Sequence, residues 1–132
     1  MKKLFALILV FSLLLLSGCG SLAKGIELEE TDGYTKITLD NFKGEEKLKI
    51  VNNVGEGSLY YKATITSGHL TVHYSEGVLW GTYELFEIDG ESTDKGGVYV
   101  SSSGKLSIII SAKEATSGEI LLVFSQSASP FE

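Results

Sequence analysis

The chain has 132 residues, of which 11 are Lys or Arg and 17 are Asp or Glu, so its formal net charge at pH 7 is −6. All of the Lys/Arg class are lysines. An acidic chain without arginine, the residue best suited to bidentate phosphate contacts, is a poor match for nucleic acid. Its charge also disfavours attachment to anionic lipid surfaces. We therefore expect no nucleic-acid partner.

The first 18 residues have the layout of a secretory signal peptide. Lys2 and Lys3 form a short positive region, and an apolar run over residues 4–16, interrupted only by Ser12, follows. As a helix at ~1.5 Å per residue, this run spans roughly 20 Å, short of the ~30 Å hydrocarbon core of a bilayer. The pattern predicts a cleaved helical signal peptide. An ordinary secretory signal with a chance cysteine and an uncleaved anchor helix are the alternatives.

The apolar run ends in Leu16–Cys19 (Leu16-Ser17-Gly18-Cys19), which resembles the lipobox of bacterial lipoproteins. The resemblance covers only the N-terminal segment. It implies that the thiol of Cys19 takes a diacylglycerol, that cleavage occurs just before Cys19, and that the new amino group is often acylated. Two or more acyl chains hold a protein stably on a membrane, at ~0.8 kcal/mol per buried methylene. With Cys19 lipidated, no cysteine remains for a disulfide, a thiolate metal site or a nucleophile.

The chain is thus expected to comprise a signal peptide (1–18), a lipidated cysteine with a short linker (19–25) and a single domain (26–132). Loss of Lys2 and Lys3 leaves nine lysines against 17 acidic residues, a net charge of −8. The six residues 20–25 reach roughly 20 Å at ~3.3 Å each, so the domain should lie close to the bilayer. We expect the exported side of the cell membrane or the outer membrane, and Gly20 does not decide between them.

Beyond residue 25 the hydrophobic pattern has a period of two, which is typical of half-buried β-strands. The residues expected on buried faces are Thr35, Ile37 and Leu39; Leu48 and Ile50; Leu59, Tyr61, Ala63 and Ile65; Leu70, Val72 and Tyr74; Leu106, Ile108 and Ile110; and Ile120, Leu122 and Phe124. The stretch 76–88 also fits a helix face through Leu79, Tyr83 and Phe86, but Gly81, Thr82 and its aromatic content favour a strand.

Turn signals separate these runs at intervals of roughly 8 to 12 residues, as in sandwiches and barrels. They are Asp32-Gly33, Lys43-Gly44, Gly55 to Gly57, Ser67-Gly68, Glu76-Gly77, Asp89-Gly90, Gly96-Gly97, Ser103-Gly104 and Ser117-Gly118. The stretch ITSGHL (65–70) is typical of a tight hairpin. The sequence therefore predicts an all-β domain, a single antiparallel β-sandwich of about eight strands with jelly-roll or immunoglobulin-like wiring.

Candidate metal and catalytic groups are few. His69 and His73 would lie roughly 13 Å apart on a strand at ~3.3 Å per residue, too far to share one ion without a third element. The segment 87–97 gathers four carboxylates in an expected loop, but Gly90 directly follows Asp89, which breaks the EF-hand spacing. No serine lies in a G-x-S-x-G elbow. We predict no enzyme, no cofactor and no metal ligands, and leave open whether segment 87–97 binds an ion.

The aromatic residues carry the clearest binding signal. Tyr60, Trp80, Tyr83 and Tyr99 fall in expected strands, where at least some rings should face outward. Outward rings can stack on sugars or anchor a protein partner, or simply stabilise the sheet as cross-strand pairs. In layout the chain resembles small, uncharacterised β-sandwich lipoproteins of bacterial envelopes, a likeness that implies no activity.

Two functions follow as hypotheses. The first is a non-enzymatic, membrane-anchored lipoprotein that binds a protein partner or acts as an envelope adaptor through a sheet face or edge. The second is a glycan- or small-ligand-binding module that uses outward Tyr and Trp side chains. The sequence names no ligand-binding residue for either.

Overall fold

The computed structural model describes residues 23–31, 33–77, 81–101 and 104–131, which form seven β-strands. Their bounds are Ile26–Glu30 (β1), Thr35–Asn52 (β2), Gly57–Ser67 (β3), His69–Ser75 (β4), Tyr83–Asp89 (β5), Ser92–Val100 (β6) and Gly104–Ser125 (β7). No helix within these ranges is long and apolar enough to span a membrane. The predicted signal peptide, the lipobox and Cys19 lie outside the described residues.

All pairs of neighbouring strands are antiparallel, and β7 lies at the centre of the sheet. The strand order is β1-β2-β7-β3-β6, while β4 pairs with β7 and β5 pairs with β4. On one side β7 follows β2 along nearly its whole length. On its other side β7 pairs with β3 over residues 117–125 and with β4 over residues 107–111. The seven strands therefore belong to one continuous hydrogen-bonded sheet.

This sheet folds onto itself at bends in its two long strands. The β2–β7 register is interrupted between Leu39 and Gly44, where Asn41 has φ 54° and Gly44 has φ 120°. The first layer comprises β1, β2 up to Leu39, β3, β6 and β7 from residue 117; the second comprises the rest of β2, the start of β7, β4 and β5. Across the core the ring of Tyr61 stacks on that of Phe86, with centroids 4.5 Å apart. The two layers thus form a sandwich.

The predicted all-β, antiparallel sandwich is confirmed, although the expected count of about eight strands becomes seven. The expected strands at 34–40 and 46–51 are the two parts of β2, and those at 105–111 and 119–125 are the two parts of β7. For the stretch 76–88, the strand interpretation is correct over Tyr83–Asp89. β7 runs through both layers as one strand, and its buried side chains stay on one face of the sheet through the bend.

Several expected turns lie inside strands. Lys43-Gly44 and Ser117-Gly118 lie at irregularities in β2 and β7, and Gly96-Gly97 lies within β6. The hairpin predicted for ITSGHL is wrong, since β3 and β4 do not pair with each other and each pairs with β7. Gly68 instead carries the chain from the first layer to the second. Its φ is 102°, and a Cβ there would collide with the side chain of Thr116, so only glycine fits.

The alternation read from the sequence matches the observed core. Apolar side chains from both layers pack into one cluster, whose largest fully buried members include Phe42, Ile37, Ile50, Leu59, Leu70, Ile108 and Leu122. Tyr74 and Phe124 are half-buried against this cluster. Phe42 lies inside the β2 bend opposite Thr116 and is completely buried, so the bend itself is filled by core.

The two ends of the sandwich differ. At the bend end, the chain enters β1 beside the β2 bend, where the Asp40 amide donates to the Gly25 carbonyl at 2.8 Å. At the opposite loop end, Asn52 of the second layer holds the connection to β3 by donating to the Gly55 carbonyl at 2.9 Å. Gln126, which follows β7, donates to the Val54 carbonyl of that connection at 2.6 Å. The last residues of both layers are therefore tied together at the loop end.

Candidate ligand-binding surface

A groove of about 400 Å³ lies on the outer face of the first layer. Its floor is Leu121 and Val123 of β7, and its walls are the ring of Tyr34 on one side and Pro130 and Phe131 on the other. The full lining is Gly33, Tyr34, Lys36, Glu119, Leu121, Val123, Pro130 and Phe131. This volume lies in the lower part of the range of small-molecule sites, ~300–1,000 Å³.

The floor is apolar although it faces away from the core. Leu121 and Val123 alternate along β7 with the buried Ile120 and Leu122, so their side chains project from the outer face. An outward-facing strand position normally carries a polar residue. Here both side chains are half-buried, because the turn before β2 and the C-terminal segment lie beside them.

The C-terminal segment 126–131, which we call the tail, is held to the outer face by side chains of two strands. The Tyr60 hydroxyl of β3 donates to the Ser127 carbonyl at 2.9 Å, and Lys95 Nζ of β6 donates to the Phe131 carbonyl at 3.1 Å. Within the tail, the Phe131 amide donates to Ser129 Oγ at 3.2 Å. These contacts position Phe131 as a preformed wall of the groove.

Two adjacent glycines of β6 make room for the rings of β3. A Cβ on Gly97 would lie 2.5 Å from Cδ1 of Tyr60, and a Cβ on Gly96 would lie 3.0 Å from the hydroxyl oxygen of Tyr61. Any larger residue at Gly97 would push the Tyr60 ring away from its place beneath the tail. The pair therefore serves ring packing inside a strand, where the sequence had suggested a turn.

Tyr34 is positioned by the short turn between β1 and β2. The Thr31 amide donates to the Tyr34 carbonyl at 2.9 Å, and Thr31 Oγ1 accepts from the Tyr34 amide at 3.1 Å. Tyr34 is 40% exposed. Because these hydrogen bonds hold the backbone, stacking on a ligand would order only the side chain of Tyr34.

One ion pair lies at the rim of the groove. Lys36 Nζ is 3.4 Å from Glu119 Oε2, and both side chains are partly exposed. Together they offer a donor and an acceptor to a polar ligand beside the apolar floor. Such a pair contributes little to stability, ~0–1 kcal/mol, so its chemistry is available to a ligand.

A second group of exposed tyrosines lies at the loop end. Tyr99, 58% exposed, donates to Glu56 Oε1 at 2.6 Å, and this hydrogen bond is the main reason that its pKa is raised. Tyr83, 56% exposed, lies with its ring centroid 5.9 Å from that of Tyr74. The pKa of Tyr74 is raised as well, chiefly by burial and then by Glu76.

The aromatic residues singled out from the sequence thus have different surroundings. Tyr60 lies half-buried with its hydroxyl bound to the tail, whereas Tyr83 and Tyr99 are exposed. Trp80 lies outside the described residues. The groove rings Tyr34 and Phe131 were not singled out. Tyr34 begins the strand expected at 34–40 but lies in the turn before β2, and Phe131 lies in the tail, where no strand periodicity assigns a face.

One further tyrosine hydroxyl, that of Tyr61, lies between the two layers. The Tyr61 hydroxyl donates to Asp94 Oδ2 at 2.8 Å. Burial, followed by the hydrogen bond and charge of Asp94, holds the pKa of Tyr61 far above its usual range. Since its ring is already stacked on Phe86, we regard this pair as part of the core.

The two histidines lie beside glutamates of β5, and most of the acidic segment is β-strand. His69 Nε2 lies 3.1 Å from Glu87 Oε2 across the β4–β5 pair, while His73 lies opposite Glu84. Segment 87–97 is largely strand rather than the expected loop, because β5 ends at Asp89 and β6 begins at Ser92. Among the described residues, no group of three or more His, Cys, Asp or Glu side chains is placed to hold a metal ion.

Comparison with known proteins gives distant structural similarities only. No protein-family model matches the chain, and no curated protein matches it. Among solved structures, the C-terminal CBM6 of LamC from Zobellia galactanivorans aligns with a TM-score of 0.45 at 13% identity, covering 81% of this chain and 94% of that one. A family 29 carbohydrate-binding module aligns at 0.42 and 15%, covering 76% and 70%.

A third similar structure is the Drosophila melanogaster CENP-C cupin domain, with a TM-score of 0.40 at 13% identity, covering 79% of this chain and 72% of that one. Similarities this distant carry no information about what the present chain binds.

Proposed function

We propose that this chain is a non-enzymatic glycan-binding module of the bacterial cell envelope, anchored to a membrane through lipid on Cys19. The observation that carries the binding proposal is the preformed groove, with its apolar floor, its ring walls and its charged rim. Of the two functions considered from the sequence, this is the glycan-binding one. The residues that we propose bind the glycan are those that line the groove, rather than Tyr60, Trp80, Tyr83 and Tyr99.

The chemistry of the groove matches that of a sugar ring. A pyranose has apolar C–H faces and a rim of hydroxyl groups that both donate and accept hydrogen bonds. Tyr34 and Phe131 supply surfaces for the C–H faces, with Leu121 and Val123 beneath. Lys36 and Glu119 supply a donor and an acceptor for the hydroxyl groups. A fully apolar ligand would form no hydrogen bond with Lys36 or Glu119.

The placement of the groove supports an envelope role. The described chain enters the domain at the bend end, where Gly25 and Asp40 are hydrogen-bonded. The groove lies beside the turn that joins β1 to β2, at the far end of β1. If Cys19 is the anchor, the groove is directed away from the bilayer and toward envelope polysaccharide. Replacement of Cys19 by Ala should abolish acyl labelling, and unchanged labelling would exclude this anchor.

The protein-partner hypothesis is less well supported by the sheet edges. Edge strands carry charged side chains that discourage strand addition. They include Glu27 and Glu29 on β1, Glu84 and Glu87 on β5, Lys47 and Lys49 on the second half of β2, and Lys95 on β6. An edge-mediated partner would have to pair its backbone beside these charges, so we place binding on the outer face.

The test is retention of envelope material by the full-length chain, purified in a polyoxyethylene detergent that carries no sugar headgroup. We expect polysaccharide to be retained, and Tyr34→Ala to weaken its binding about tenfold, since loss of an aromatic anchor typically costs more than ~1 kcal/mol. Tyr83→Ala is the matched control, because this ring is also exposed but does not line the groove. Retention of a stoichiometric protein without polysaccharide would instead support the partner hypothesis.

A further inference from the structure

The outer face of the first layer carries three lysines in a single cross-strand line. Lys95 of β6 is opposite Lys62 of β3, Lys62 is opposite Leu121 of β7, and Leu121 is opposite Lys36 of β2. Residues directly opposite in antiparallel strands project from the same face. With strands ~4.8 Å apart, Lys36, Lys62 and Lys95, which we call the lysine row, extend over roughly 14 Å.

This arrangement is unusual for a chain with 17 acidic residues. Lys62 and Lys95 are directly opposite each other, and like charges in that relation destabilise a sheet. Glu119 of β7 lies diagonally beside both Lys36 and Lys62 and forms its ion pair with Lys36 at 3.4 Å, while Glu29 is opposite Lys36. Lys62 is exposed and has no hydrogen-bond or ion-pair partner among the described residues. Within the described part of the chain, no carboxylate forms an ion pair with Lys62 or Lys95 at the β3–β6 end of the row.

The lysine row and the groove share one surface. Lys36 and Leu121 line the groove, and Lys95 holds the carbonyl of Phe131, which forms its wall. A ligand whose ring lies against Tyr34 and Phe131 therefore has ammonium groups on both sides and Lys62 beside the floor. A neutral sugar would leave the Lys62–Lys95 repulsion unchanged, whereas an anionic group placed there would relieve it.

We propose that the ligand is an anionic glycan whose carboxylate or phosphate groups are bound by Lys62 and Lys95, with Lys36 at the groove rim. This proposal rests on the glycan-binding function above and names the chemical class of the ligand. The row is exposed, so the attraction is screened by salt: the Debye length falls from ~10 Å at 0.1 M to ~3 Å at 1 M. Binding to the acidic form of a glycan should therefore weaken as salt is added.

The experiment compares matched polysaccharides on the full-length chain in the same detergent. Polygalacturonate against its methyl ester tests carboxylate, and dextran phosphate against dextran tests phosphate, with backbone chemistry constant within each pair. We expect at least one anionic form to bind more tightly than its neutral partner and to lose that advantage in ~1 M salt. The arm in which this occurs identifies the acidic group.

The decisive variant is Lys62→Gln, because no described contact of the fold depends on this side chain. It should weaken binding of the anionic form about two- to fivefold, the range of one exposed charge contact, and leave the neutral form unchanged. Lys105→Gln, an exposed lysine at the start of β7 in the second layer, is the control and should change neither. Equal binding of charged and neutral forms, unaffected by Lys62→Gln, would overturn the anionic assignment and leave glycan binding standing. Binding of none of the four polysaccharides, together with no retained envelope glycan, would overturn both.

Discussion

Replacement of Tyr61 by Phe tests the contact that joins a core ring to a charged group between the layers. The substitution keeps the ring stacked on Phe86 and removes only the hydroxyl that donates to Asp94 at 2.8 Å. A hydrogen bond to a charged acceptor contributes about 1.5–3 kcal/mol, and loss of its donor leaves the acceptor partly desolvated. Because Asp94 is only half-buried, we expect the lower end, about 1.5 kcal/mol of unfolding free energy.

Urea unfolding at pH 7 of wild type, Tyr61→Phe, Asp94→Ala and the double variant measures this contact as a double-mutant cycle. We expect the two single changes to be non-additive by about 1 kcal/mol, because each removes the same hydrogen bond. Tyr60→Phe is the matched control: it removes the hydroxyl of the neighbouring ring, which binds the tail rather than Asp94, and should be additive with Asp94→Ala. Additivity of Tyr61→Phe with Asp94→Ala would refute the assigned contact.

The same contact gives a pH dependence with a definite sign. Its raised pKa means that folded Tyr61 stays protonated at pH values where the unfolded chain, with a tyrosine pKa of about 10, loses the proton. This stabilisation is fully present below pH ~10 and is lost as the pH rises toward the folded pKa, by up to ~1.4 kcal/mol per pH unit for one group. The pKa values of Tyr74 and Tyr99 are raised too, so all three slopes have the same sign. Tyr61→Phe should make the loss of stability above pH ~10 shallower than in wild type, and an unchanged slope would contradict this origin.

Three further predictions concern the bend and the groove. Phe42→Ala should cost about 3–5 kcal/mol in urea unfolding, because Phe42 fills the β2 bend and is completely buried; a loss below ~1 kcal/mol would mean that the bend collapses around the gap. Thr116→Val should cost about 1–3 kcal/mol in the same assay, since its buried hydroxyl accepts from the His69 amide at 3.1 Å and donates to a nearby carbonyl, whereas an unchanged midpoint would exclude that role. Gly97→Val should displace the Tyr60 ring and loosen the tail, and glycan affinity measured by titration should fall as a result; Tyr83→Ala, at an exposed residue that does not line the groove, is the control and should leave the affinity unchanged.

For β2, β3, β4 and β7, period-two alternation was enough to predict which side of the strand is buried. The inner residues Leu59, Tyr61, Ala63 and Ile65 are all buried, as their spacing indicated, and Tyr99 is exposed between the better-buried Val98 and Val100. This works because successive side chains of a strand must point to opposite faces. The all-β class and the faces of its strands are therefore local properties of the sequence.

Pairing partners and bends are not local properties. Lys43-Gly44 has the composition of a turn, yet β2 continues through it because Phe42 and Ala112 are buried on the same side of the continuing sheet. Gly96 and Gly97 likewise look like a turn until their cross-strand partners, Tyr61 and Tyr60, are known. Gly44 allows a backbone angle that other residues rarely adopt, and Gly96 and Gly97 leave space because they have no side chain. In both cases the neighbouring strand decides whether the glycine forms a turn, a bulge or space for a ring.

The candidate site was hidden from the sequence for the same reason. The lysine row joins Lys36, Lys62 and Lys95, which lie on three different strands and are brought together only by the register of the sheet. The groove adds Tyr34 from a turn and Phe131 from the tail. Parity analysis could identify outward tyrosines, but not which outward residues are neighbours.

Several residues that are unusual for the exposed face of a sheet lie together on one face of this domain. The outer face of the first layer has Leu121 and Val123 at outward positions, a like-charged pair of Lys62 and Lys95, and a strand glycine, Gly97. The like-charged pair and the strand glycine each weaken a sheet considered alone, and outward strand positions normally carry polar residues. The outer face of the second layer also has outward apolar side chains, Ile109 and the exposed Val51. Among the described residues, however, its cross-strand pairings oppose no two like charges: Ser111 donates to Glu45 at 3.4 Å, and Glu87 contacts both Thr71 and His69. Sequences that otherwise agree with their fold depart from it chiefly at functional sites. The opposed lysines and the strand glycine, none of which lines the groove, are therefore a reason beyond its shape to locate binding on the first layer.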